Sequence, residues 1–215
     1  MQQLDFAIID AHIHQWDASH MPYSAALAVK LLAKHPYLLD KLVRLVQSNE
    51  LIETLGLTNH ITAPYLPENY MQDIGHYLVE QVVHVEARWH KNKGKGVVDE
   101  THFIESLSFN QETVKLGGIV ATADPRDSNF KKILQLHRKA SPRFKGIRKM
   151  AAVHEDKNIH AWADEPHLYR NKKFLKGFET LAHLNLTFDA WVYSTQLNDV
   201  IALAKQFPET SIVLD

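Results

Sequence analysis

The residues best suited to chemistry sit near the start of the chain, in Ile8-Ile9-Asp10-Ala11-His12-Ile13-His14-Gln15-Trp16-Asp17. On an extended strand, residues two apart share a face. That spacing places Asp10, His12 and His14 on one side and Ile9, Ala11 and Ile13 on the other. The apolar set can pack on outer helices while the polar set points inward. Two imidazoles on one face can both reach a single divalent ion at roughly 2.0–2.1 Å. The structural alternative is a pair of hydrogen-bonded core histidines. Further polar and aromatic groups lie on later apolar runs: His84 and Glu86, then Arg148, then Asp189 with Trp191.

These groups need elements to hold them, and the chain supplies a regular set. Short runs rich in Val, Ile or Phe recur at Phe6 to Ile13, Val82 to Ala87, Gly117 to Ala123, Phe144 to Met150, Leu186 to Val192 and Ser211 to Leu214. Runs of this length and composition read as buried parallel strands. Helical periodicity fills gaps between them at Asn129 to Lys139, Phe174 to Leu184 and Thr195 to Phe207, the last with Ser194 or Thr195 as the expected N-cap. Strand and helix in alternation predict an α/β fold with a parallel sheet. No glycine lies between Asp10 and Asp17, so a dinucleotide-binding turn is disfavoured. A (β/α)8 TIM barrel is the better expectation, because such barrels carry catalytic groups at the C-terminal ends of their strands.

The spacing predicts six strands by residue 215. Two more strand–helix units would take roughly 80 further residues. Residues 1–215 are therefore expected to form one incomplete barrel domain, with about six of eight strands present. A helical insertion is expected at about 15–80, from the apolar patches Ala25 to Ala33 and Leu38 to Leu55 and the stretch Ala63-Pro64-Tyr65-Leu66-Pro67. It would serve as a substrate wall or as packing alone.

Composition narrows the function classes. The 215 residues carry 24 Lys plus Arg against 25 Asp plus Glu, a net charge of −1, which argues against a general nucleic-acid binder. There is no Cys, which excludes thiolate nucleophiles and Cys-based metal sites, while His numbers 14. Any metal would be held by imidazole and carboxylate. No apolar run reaches membrane-spanning length and no signal-peptide pattern opens the chain, so a cytoplasmic protein without membrane contact is expected. The ligand is expected to be a small molecule, and homo-oligomerisation stays open.

Asp10-Ala11-His12-Ile13-His14-Gln15-Trp16-Asp17 resembles the opening of the amidohydrolase superfamily, in its amidohydrolase 2 branch. The His-x-His followed by Trp-Asp is similar to fuconolactonase-like, rhamnonolactonase-like and 2-pyrone-4,6-dicarboxylate lactonase-like proteins. Val83-His84-Val85-Glu86-Ala87, Gly118-Ile119-Val120-Ala121, Phe144-Lys145-Gly146-Ile147-Arg148 and Phe188-Asp189-Ala190-Trp191 resemble later strands of that branch. The resemblance implies a distorted barrel that opens a sugar lactone or a dicarboxylate lactone with activated water. It implies His12 and His14 as metal or substrate ligands, with zinc or manganese as candidate metals. It further implies substrate contacts from Glu86, Arg148, Asp189 and Trp191. For Arg148 the alternative is a structural ion pair, for Glu86 a buried hydrogen bond, and for Trp191 core packing. The expected general base, an eighth-strand Asp, and a His that follows a Val-Leu-Asp strand would both lie beyond residue 215, so the resemblance assigns no base within the chain. A metal-dependent decarboxylase of the same branch and a truncated, non-catalytic remnant are the alternatives.

Overall fold

The computed structural model describes residues 6–17, 31–32, 35–46, 52–53, 63–89, 91, 93–109 and 114–215. Six parallel strands carry the fold: β1 (Ile8–Ile13), β2 (Val79–Val85), β3 (Lys115–Thr122), β4 (Phe144–Met150), β5 (Thr187–Trp191) and β6 (Ile212–Leu214). They lie in chain order in one sheet, each hydrogen-bonded to its neighbour in sequence. Helices α1 (Pro36–Val46) and α2 (Pro67–Ile74) fall between β1 and β2. Helices α3 (Val98–Ser106), α4 (Phe130–Ala140), α5 (Lys172–His183) and α6 (Leu197–Gln206) each connect one later strand to the next. This is the α/β alternation expected from the sequence. The expected insertion at about 15–80 lies partly outside the described residues; α1 and α2 are the helices with defined bounds within it. No described helix is long and apolar enough to cross a membrane.

The sheet is curled into a half-barrel. Laid flat, six strands would hold β1 and β6 about 24 Å apart at the usual strand spacing. Yet His12 Nδ1 of β1 lies 3.1 Å from Oδ1 of Asp215, the residue after β6. Only a curved sheet brings its two edge strands into side-chain contact. Curvature of this kind points the C-terminal strand ends toward a common centre, and the polar residues sit at those ends.

Amphipathic helices hold the arc from outside. Helix α4 buries Phe130, Ile133, Leu134 and His137, the spacing of one helical face. Helix α5 buries Phe174, Phe178 and Leu181 and is capped by Asn171, whose side chain accepts from the Lys173 and Phe174 backbone N–H groups. The rings of Phe174 and Phe178 each meet Phe188 edge to face, at 5.9 and 5.1 Å, a favoured aromatic geometry. Gly177 lies against the Pro125 carbonyl so closely that a Cβ there would come within 1.9 Å of the oxygen. Glycine is what lets α5 approach the turn after β3.

Two local expectations fail. The strict alternation along β1 is broken by a register shift between Asp10 and Ile13. Ile13 joins the core at 6% exposure, but Ile9 is 61% exposed and Ala11 is exposed as well, so the apolar face is only part-used. Neither Ser194 nor Thr195 caps α6: they form a 3-10 turn, and the N-cap position is Gln196 without a side-chain cap bond.

Candidate active site

β1 enters the site through its last turn of pleat. His14 donates from Nδ1 to the Val85 carbonyl, at 2.8 Å, the tautomer that contact requires. This leaves Nε2 bare and facing His12 Nε2, 3.2 Å away. Burial is the largest influence on His14 and lowers its pKa to about 4, against the pull of the Val85 bond. The His14 ring is therefore neutral near pH 7. His12 spans the other direction, from His14 to Asp215. These contacts ask His12 to donate from both nitrogens. A cation between the two Nε2 atoms would meet the same geometry with His12 donating from Nδ1 only. Two ligands bound to one ion at roughly 2.0–2.1 Å stand about 3.2 Å apart, so the pair fits two positions of a metal's coordination shell. Among the described residues, no group of three or more His, Asp or Glu side chains is arranged to hold a metal.

From Asp215 the network runs across the arc. Arg148 NH1 donates to Asp215 Oδ2 at 2.7 Å. Its Nε donates to Glu86 Oε1 at 2.8 Å, and NH2 donates to the Glu86 carbonyl at 2.8 Å. The other Glu86 oxygen accepts from the Arg88 backbone N–H at 3.0 Å. Burial would raise the Asp215 carboxyl, but the hydrogen bonds from His12 and Arg148 outweigh it and hold the pKa at about 2. Arg148 loses solvation by burial and is nonetheless kept charged by Glu86 and Asp215. β1, β2, β4 and the end of β6 are thus tied by one chain of charged contacts. Arg148 occupies the ion-pair arrangement, with both neighbours acidic.

Beneath lies a second polar layer. His84 accepts from the Gln15 backbone N–H at 3.2 Å, and burial lowers its pKa to about 3. Glu100 accepts from the Ala87 backbone N–H at 2.6 Å, while burial and the nearby Glu86 charge push its carboxyl up. Among the described residues, the buried Gln15 amide, His84 Nε2 and Glu100 Oε2 have no hydrogen-bond partner. This layer is neutral, as desolvation demands.

A cavity of about 330 Å³ opens above the upper network. His12, His14, Glu86, Arg148 and Trp191 all line it, with Asp215, Arg88, Trp16 and Trp162. Asp189 does not line it. That carboxyl is 4% exposed, has one oxygen without a partner among the described residues, and is raised by burial and by Asp215 to about 6. Trp162 meets Trp191 edge to face at 5.0 Å, and Trp16 stacks on Tyr65 at 5.5 Å, its ring nitrogen donating to the Ala63 carbonyl. A larger cavity of about 730 Å³ adjoins it along Glu86, Arg88, Arg148, Met150 and Trp162.

Sequence reasoning passed over Asp215, Arg88 and Trp162. Asp215 had a signal: it ends a Val-Leu-Asp strand in the arc that begins with Asp-x-His-x-His. Arg88 and Trp162 lie in loops whose course periodicity does not reveal.

No family model matches the chain. The protein y4mH of Sinorhizobium fredii, itself described as uncharacterized, is 26% identical over 211 residues, covering 98% of this chain and 62% of that protein. An amidohydrolase from Burkholderia multivorans, solved once with bound HEPES and once with bound zinc, superimposes with a TM-score of 0.61 at 20% identity. The match covers 96% of this chain and 56% of that one. Amidohydrolase 2 from Bifidobacterium longum subsp. infantis gives a TM-score of 0.53 at 15% identity, over 96% of this chain and 59% of that one. These structures share the fold. The chain spans less than two thirds of the length of each of these proteins.

Proposed function

We propose that the protein is an amidohydrolase-like hydrolase of the amidohydrolase 2 branch that opens a lactone ring, and that the six-stranded arc belongs to a (β/α)8 barrel. The observation that carries this reading is the pair of facing Nε2 atoms, 3.2 Å apart, at the floor of a cavity walled by tryptophans. The fold neighbours, amidohydrolases by name, support the class. The lactone is inferred from the motif resemblance together with the cavity's small, aromatic-walled shape.

In this reading the imidazole pair holds the attacking water. Asp215 fixes His12 through Nδ1, and Val85 fixes His14 through Nδ1, so both Nε2 atoms face the same point. With a water bound at the pair, His12 donates from Nδ1 to Asp215 only, and a bare Nε2 takes the water's proton as its oxygen attacks the lactone carbonyl. The ring C–O bond then breaks, and the departing ring oxygen takes the proton, giving a hydroxy acid. Asp215 is held ionised and serves as the orienting group rather than the base. Arg148 keeps Asp215 in place. The tryptophan walls position the ring and limit water to the imidazole side. His12 and His14 would hold a divalent ion such as zinc or manganese, which when bound supplies Lewis-acid polarisation of the carbonyl and a more acidic water.

The test is acid release from a panel of sugar lactones and dicarboxylate lactones at constant pH, beside carbon dioxide release from aromatic acids. Acid release without carbon dioxide is the expected result. Carbon dioxide release would point to the decarboxylase, and silence in both assays would reject an enzyme of this class.

A further inference from the structure

Arg88 is the cation of the small cavity whose charge is least committed. Its backbone takes the left-handed conformation, φ 57°, which is uncommon for a side chain with a Cβ. The Glu86 carboxylate accepting from its N–H holds it there. The strain has a result: the guanidinium lies over the Trp162 ring, 4.9 Å from its centre, on the wall of both cavities. Among the described residues no acidic side chain pairs with it, whereas Arg148 is bracketed by Glu86 and Asp215. A guanidinium held over the face of an aromatic ring is positioned by it without losing its N–H donors, which suit a planar, two-oxygen acceptor.

We propose that Arg88, held on Trp162, binds a carboxylate of the molecule in the small cavity and sets its specificity for acids over neutral rings. The proposal deepens the lactone reading and rests on it for the identity of the bound molecule as substrate. It selects lactones that carry a free carboxylate. The lactone carbonyl would lie toward His12 and His14 while the carboxylate lies on Arg88.

Binding tests this without turnover. Benzoate and its neutral analogue benzamide are titrated calorimetrically into the whole protein. Benzoate should bind about ten-fold tighter or more, the scale of a hydrogen bond to a charged group. Arg88→Asn, which suits a left-handed backbone, should erase that preference with an unchanged circular dichroism spectrum. Trp162→Leu keeps the charge without its platform and should weaken benzoate by a smaller factor, about three-fold. In the unaltered protein, benzoate should slow phenylglyoxal labelling of Arg88, read by peptide mass, and benzamide should not. Equal affinity for the two probes, no binding of either, a preference that survives Arg88→Asn, or labelling that benzoate does not slow would each overturn the proposal. A protein that prefers benzoate yet opens no lactone would keep Arg88 as an anion site and discard the hydrolase reading.

Discussion

Two cavities meet at Arg88 and Trp162, and the larger one has the weaker claim to chemistry. The charges grouped around Arg126 there are spent on each other: Arg126 pairs with Asp124, Asp164 and Glu165 at 2.7–3.0 Å, and Lys149 with Asp124 at 3.3 Å. Burial would raise Asp124, but Arg126 and Lys149 outweigh it and hold its pKa at about 2. The small cavity has less room, but its two imidazole nitrogens contact each other rather than a charged partner, and Arg88 at its wall has no acidic partner among the described residues. Volume measures what can enter; free valence measures what can be done to it.

The largest test of that contrast is catalytic. His12→Ala with His14→Ala should lower kcat on a responsive lactone by about 10²–10⁴-fold, the usual worth of acid–base groups. Arg126→Ala, in the other cavity, should leave kcat near its starting value. Comparable losses from the two variants would erase the distinction.

Stability should separate the two charge networks next. Arg148 is 6% exposed, and Arg148→Met leaves Glu86 and Asp215 without their shared cation. A cost of about 3–5 kcal/mol in urea unfolding is expected. Gly177→Ala pushes on the Pro125 carbonyl, between Asp124 and Arg126 of the larger cavity's wall, and should cost about 1–3 kcal/mol without changing kcat. Lys91→Ala breaks a 2.6 Å pair with Asp99 in which both side chains are about half exposed, and should cost no more than about 1 kcal/mol.

The buried polar layer makes a pH prediction with two opposing arms. His14, His84 and His137 titrate near pH 6.5 when unfolded but are lowered, chiefly by burial, to about 4, 3 and 4. Between those values the unfolded chain binds more protons, so stability falls as pH drops below about 6.5. Glu100 is raised, so the folded chain binds more protons above the ordinary carboxylate range, and its contribution falls as pH rises. Glu100→Gln, which keeps the acceptor for Ala87, should flatten the alkaline arm alone in urea titrations run across pH. An unchanged alkaline arm in that variant would mean Glu100 is charged in the fold.

Much of this was legible from residue pattern. The six strands could be read because buried parallel strands are short, continuous apolar runs, and Phe144–Met150 was read to the residue. His12 and His14 could be read as partners because two-residue spacing on a strand survives even a bulge before Ile13. What could not be read was depth. Asp189 and Trp191 share a strand face, yet Trp191 lines the cavity and Asp189 does not, because the curl of the sheet sets which ring of residues reaches the mouth. Arg88 was equally hidden, since its position depends on one left-handed residue and on a tryptophan 74 positions away.

The most direct measurement is 15N NMR of the histidine side chains at pH 7. A neutral His14 ring with its proton on Nδ1 and a bare Nε2 is the predicted result. A proton on His14 Nε2, or a doubly protonated ring, would mean that the small cavity has no free nitrogen to offer.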